Sequence, residues 1–105
     1  MVHHIVLYKL KADVGEERLE DMIRKTRSQL LKVPEALSVR SGRRIEGEEK
    51  WGFFVSVDLE SMDKLAAFQD DAVYVKFIEE VVKPNTTEKL LVNYEMEPGR
   101  DIKYS

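Results

Sequence analysis

The stretch Val2-His3-His4-Ile5-Val6-Leu7-Tyr8-Lys9-Leu10-Lys11 decides how the rest of the chain folds. Its centre, Ile5-Val6-Leu7-Tyr8, is β-branched or bulky throughout and too short for a helix, so it reads as a strand. Successive side chains on a strand point to opposite faces. A sheet with helices on one side and water on the other alternates apolar with polar residues, yet this strand is apolar on both parities. Phe53-Phe54-Val55 and Leu90-Leu91-Val92 repeat the pattern. Both faces of the sheet therefore require cover, and helices can supply it on one face only. A second copy of the chain is the simplest cover for the other, which predicts a two-fold homodimer with sheet packed on sheet.

The elements on either side follow from periodicity and punctuation. Asp13 and Glu16 have the spacing of a capping box. Leu19, Met22, Ile23, Thr26 and Leu30 then recur at helical steps on one face, with Pro34 as the stop. A second strand is expected from Leu37 to Ile45, a turn at Gly47-Glu48-Glu49, and a third strand from Trp51 to Leu59. Ser61 is the expected N-cap of a helix carrying Leu65 and Phe68. A further helical stretch holds Val73, Phe77, Ile78 and Val81 and ends near Pro84. The last strand is expected from Lys89 to Met96. The order β-α-β-β-α-β predicts an α+β, ferredoxin-like fold with an antiparallel four-stranded sheet. Residues 1–97 make one domain, and 98–105, where the apolar period is lost, make a C-terminal tail.

Composition narrows the function classes. The 105 residues suit one domain, with 43% hydrophobic residues for a core and 35% charged for a surface. No run approaches the ~18 apolar residues of a membrane span, and the N-terminus lacks the marks of a signal peptide. The chain has no cysteine, which fits a reducing, cytoplasmic setting and removes thiol chemistry. A net charge of -3 disfavours nucleic acid as a partner. Arg40, Arg43 and Arg44 are followed by Glu46, Glu48 and Glu49, a mixed-charge surface rather than a phosphate site. RNA-recognition domains share the element order, and Lys50, Phe54 and Val55 match their third-strand pattern. Gly52 and Val57 occupy positions where stacking aromatics belong, so RNA binding is not expected.

At this point the residues resemble the stress-responsive A/B-barrel (Dabb) family. His4-Ile5-Val6-Leu7-Tyr8-Lys9-Leu10-Lys11 is similar to the family's opening strand. Glu60-Ser61, Leu65-Ala66-Ala67-Phe68, Phe77 and Val82-Lys83-Pro84 follow its second helical region, and Leu91-Val92-Asn93-Tyr94-Glu95 its closing strand. The resemblance implies a dimeric α/β barrel with a pocket in each subunit between sheet and helices. Polyketide-cyclising relatives use a Tyr and a His there, within an aromatic, two spacers and His-Pro-x-His. Here Phe68 stands for that Tyr, Asp71 for the first His, Ala72 for the Pro and Tyr74 for the second His. That chemistry is not carried over, because Phe68 cannot ionise and a phenol titrates near ~10.

His4 is the candidate acid–base residue, since imidazole moves protons near neutral pH; the alternative is a His anchored at a sheet end. His3 points to the opposite face, so the pair makes a poor metal site. Tyr8, Trp51, Phe53, Phe68 and Tyr74 are the candidate pocket lining, weighed against ordinary core. The phenols of Tyr8 and Tyr74 favour the pocket, because a buried hydroxyl needs a partner. Asp70 and Asp71 are expected at a helix start as caps. No metal motif and no Gly-rich phosphate loop is present, so no cofactor is expected. The predicted role is binding of a small organic ligand; the alternative is an enzyme on this fold, cyclase-like or a cofactor-free monooxygenase, with His4 as its base.

Overall fold

The decisive N-terminal stretch forms strand β1 (Val2–Leu10) in a computed structural model that describes residues 1–46 and 50–97. The expected turn at 47–49 and the tail at 98–105 lie outside the described residues. Burial along β1 alternates: Val2, His4, Val6 and Tyr8 are buried, while His3, Ile5 and Leu7 are partly exposed. The strand is central, paired antiparallel with β3 (Phe53–Leu59) and β4 (Thr86–Glu95). With β2 (Ser38–Arg43) outside β3, the sheet order is β2-β3-β1-β4, which is the ferredoxin-like arrangement.

The helices lie on the face that carries His4, Val6 and Tyr8. Helix α1 (Glu16–Leu30) buries Leu19, Met22, Thr26 and Leu30. Thr26 is tolerated there because its hydroxyl donates to the Met22 carbonyl at 2.7 Å, a back-bond open to helical Thr. The expected capping box does not form. Gly15 occupies the N-cap without a side-chain bond, which leaves Asp13 two residues too early, where it pairs with Arg18 at 3.5 Å. Pro34 does not stop the helix either, since α1 ends at Leu30 and tight turns follow, Val33 N–H bonding the Leu30 carbonyl.

Helix α2 (Met62–Asp70) is capped by Ser61, whose hydroxyl accepts from the Lys64 N–H at 3.2 Å. Helix α3 (Ala72–Phe77) follows after a break at Asp71 and runs straight into a π-helical turn at Ile78–Val82. There the Lys83 N–H reaches five residues back to Ile78, and such wide turns are rare and concentrated at functional sites. Leu65, Phe68, Phe77, Val81 and Val82 pack from this layer onto Val55, Val57 and Leu59 in one core.

The other face of the sheet is as apolar as the sequence predicts. In register, Leu7 lies between Phe54 and Leu90, Ile5 between Ser56 and Val92, and His3 between Asp58 and Tyr94. Among the described residues no helix covers this band. Gly42 sits opposite Phe54, and a Cβ there would come within 2.9 Å of the Phe54 ring, so the ring would have to shift if any side chain stood at this position.

Candidate ligand pocket

Helical cover stops short of β4, whose helix-side residue Leu91 is 41% exposed. The gap between β4, β1 and the α3–π turn is a cavity of about 300 Å³. Val6, Ile78, Val82 and Leu91 give it an aliphatic wall, and the phenols of Tyr8 and Tyr74 enter from strand and helix. Tyr8 is only 4% exposed, and its hydroxyl has no hydrogen-bond partner among the described residues. Among the described residues no polar side-chain atom is sealed away unpaired, so that hydroxyl opens onto the cavity that Tyr8 lines. Burial raises the pKa of both phenols, and for Tyr8 the neighbouring Tyr74 adds to the effect. Both therefore stay protonated donors at neutral pH.

The five aromatic candidates take three positions. Tyr8 and Tyr74 line the cavity. Phe53 and Phe68 are fully buried behind them: the Tyr8 ring stacks on Phe53 at 5.8 Å between centroids, and Tyr74 leans on Phe68 at 4.8 Å. Aromatic pairs at such separations hold one another in place, so these two phenylalanines position the phenols. Trp51 stands apart, with Lys50 over its ring at 5.1 Å. Its φ of 65° takes it off the β3 strand geometry, which breaks the parity it was expected to share with Phe53. Tyr74, at the position where the resemblance implies a second His, gives the cavity a phenol in place of an imidazole.

His4 is 2% exposed and lies one helix-side position before Val6, outside the cavity lining. Its Nδ1 is 2.6 Å from Asn93 Oδ1. With a carbonyl oxygen as partner, Nδ1 carries the proton and Nε2 the lone pair. Burial pushes the His4 pKa down, the Asn93 bond partly offsets this, and the charges of His3 and Lys89 push it down further. His4 is thus neutral at pH 7.

On the opposite face His3 Nδ1 lies 2.5 Å from Asp58 Oδ1, and the Ser38 hydroxyl donates to Asp58 Oδ2 at 2.7 Å. Burial raises the Asp58 carboxyl, but the bonds from Ser38 and His3 outweigh it and bring the pKa below its usual value. Both bonds end on the carboxylate and Ser38 does not meet His3, so this is not the order that activates a nucleophile. Asp71 caps α3 through the Val73 N–H at 2.8 Å, whereas Asp70 closes α2 rather than opening a helix. Among the described residues no three His, Cys, Asp or Glu side chains converge as a metal site, and no helix is long and apolar enough to cross a membrane.

The family model of the stress responsive A/B barrel domain matches residues 2–96. The chain belongs to the Dabb family. Solved structures agree with this Dabb fold. A Dabb family protein with a ferredoxin-like fold from Mesorhizobium loti superposes with a TM-score of 0.79 at 16% identity, covering 91% of this chain and 96% of its own. A dimeric ferredoxin-like protein from Thermobifida fusca gives 0.80 at 20% identity, covering 90% of each chain. The hydroxynitrile lyase of Passiflora edulis gives 0.78 at 15% identity, covering 94% of this chain and 95% of its own. None of the curated proteins matches in sequence. At these identities the likeness is one of fold, and fold alone does not specify chemistry.

Several cavity residues of this Dabb chain were not singled out from the sequence, among them Ile78, Val82, Lys89 and Leu91. The signal lay in Thr86-Thr87, a β-branched pair that starts β4 three residues earlier than expected.

Proposed function

We propose that this Dabb protein is a homodimer that binds a small, largely apolar organic molecule in the cavity between β1, β4 and the α3–π turn. The observation that carries the reading is the pair of phenols. Both hydroxyls reach the cavity without a protein partner among the described residues, and a ligand oxygen placed between Tyr8 and Tyr74 would accept from them. The aliphatic wall accepts the apolar body, and the volume falls at the lower end of small-molecule sites. Dimerisation is supported by the two-faced apolar sheet, and the Thermobifida relative is described as dimeric. The cysteine-free composition fits a cytoplasmic setting.

Native mass spectrometry of the full chain with 2-naphthol tests both parts. The expected species has twice the 12.2 kDa chain mass and carries naphthol adducts. A bare monomer contradicts the reading.

A second reading, acid–base catalysis by His4, is favoured by the lone pair on Nε2 of a neutral imidazole, the form a general base needs. Cleavage of a hydroxynitrile, the activity for which the Passiflora relative is named, is the first reaction to assay. Cyanide release that survives His4→Ala rules that base out, and none from the unmodified protein rules that reaction out.

A further inference from the structure

The charges around the cavity are not balanced. Lys89 lies directly across from Tyr8 in the β1–β4 register, on the helix side of the sheet, and lines the cavity. It has no carboxylate partner among the described residues. The other charged lining residues are already engaged. Lys83 is held by Glu79 at 2.6 Å, and Glu88, which pairs with Lys9 in register, has its carboxylate 3.5 Å from the Lys9 ammonium and 3.9 Å from that of Lys50. The Thr86 hydroxyl is committed to the Val82 carbonyl at 2.9 Å. Besides the exposed Thr87 hydroxyl, what remains free to meet a ligand is one ammonium and two phenol O–H groups.

These three groups are all donors towards an oxygen anion. An ammonium has no acceptor at all, and a carboxylate offers about four lone-pair sites on two oxygens. Charge-assisted bonds of this kind are stronger than neutral ones. A neutral alcohol or amide would satisfy a phenol but leave the ammonium of Lys89, an exposed residue, to water alone. We propose that the cavity selects organic anions, a small planar carboxylate seated with its oxygens between Lys89, Tyr8 and Tyr74 and its apolar body against Ile78 and Leu91. This rests on the ligand-binding reading above and narrows it to one chemical class. The raised pKa of both phenols keeps them donors beside such an anion. His4, neutral and held by Asn93, adds no competing charge.

Calorimetric titration of the full chain with 2-naphthoate and with its neutral isostere 2-naphthamide tests the proposal. Naphthoate should bind about tenfold tighter, a gain of ~1.4 kcal/mol. In Lys89→Gln that advantage should vanish, with an unchanged circular dichroism spectrum showing that the variant is folded. Equal affinity for the two probes overturns selection of anions and leaves the pocket reading standing. A preference that survives Lys89→Gln overturns the role of Lys89. Failure of both probes to bind removes the ligand-binding reading itself.

Discussion

Replacing Tyr8 with Phe removes one hydroxyl and leaves the ring stacked on Phe53 at 5.8 Å. The hydroxyl has no partner among the described residues, so its loss strands no buried donor or acceptor. A change that leaves nothing unpaired is expected to fall within ~0.5 kcal/mol in stability. Ligand binding behaves differently. A neutral hydrogen bond to 2-naphthol is worth ~0.5–1.5 kcal/mol, or about 2- to 13-fold in affinity. A bond to the charged oxygens of 2-naphthoate is worth ~1.5–3 kcal/mol, roughly 13- to 160-fold. Urea denaturation and calorimetric titration of Tyr8→Phe measure the two effects separately. The pH profile adds a third reading. Burial first, then Tyr74, holds the Tyr8 pKa above its ordinary value of 10.0, so folding favours the neutral phenol. That contribution is complete below pH ~10 and is lost as pH rises above it, and the variant should lose less stability on the same climb. A destabilisation above ~1.5 kcal/mol with affinity unchanged would mean that the hydroxyl serves the core and not a ligand, and would refute the reasoning.

Phe68→Ala should cost ~3–5 kcal/mol, the range for truncating a fully buried Phe, seen as a lower urea midpoint; a loss below ~1 kcal/mol would show that Phe68 faces an open space. His4 gives stability a pH dependence on the acid side. Burial lowers its folded pKa below the unfolded value of ~6.5, so its contribution is present above pH ~6.5 and fades as pH falls towards the folded pKa. The stability difference between the unmodified chain and His4→Gln should therefore shrink between pH 7.5 and pH 5 in urea melts, and a constant difference would contradict this. Leu7→Glu places a carboxylate between Phe54 and Leu90 on the uncovered sheet face, where burial of an unpaired charge is prohibitive. Sedimentation should show a monomer, and a dimer as tight as the unmodified one would argue against sheet-on-sheet packing.

The sheet was legible because β1 and β3 carry long apolar runs whose type and order leave few topologies. Its two-sided apolar character could be read directly from Ile5-Val6-Leu7-Tyr8, since strand parity fixes which residues share a face. Ser61 and Asp71 were legible as caps because capping depends on one local bond. The ends of the elements were harder. Asp13 has the spacing of a cap, but the backbone places Gly15 there, and no pattern of side chains distinguishes the two. Trp51 looked like a strand residue by parity, and its left-handed backbone takes it out. The π turn at Ile78–Val82 has no sequence signature distinct from an α-helix, yet it brings Ile78 and Val82 to the cavity. Only two of the five aromatic candidates, Tyr8 and Tyr74, line the cavity, for a related reason. Composition shows that aromatics cluster, but which stand in front and which behind depends on the distance between layers, and so Tyr8 and Tyr74 face the cavity with Phe53 and Phe68 behind.

The most direct test of a ligand seated between the two phenols is an intermolecular nuclear Overhauser experiment with 2-naphthol and the full chain. Contacts from naphthol protons to the rings of Tyr8 and Tyr74 and to the Leu91 methyls are the predicted result. Bound naphthol with contacts only elsewhere, or none to either tyrosine ring, would contradict it.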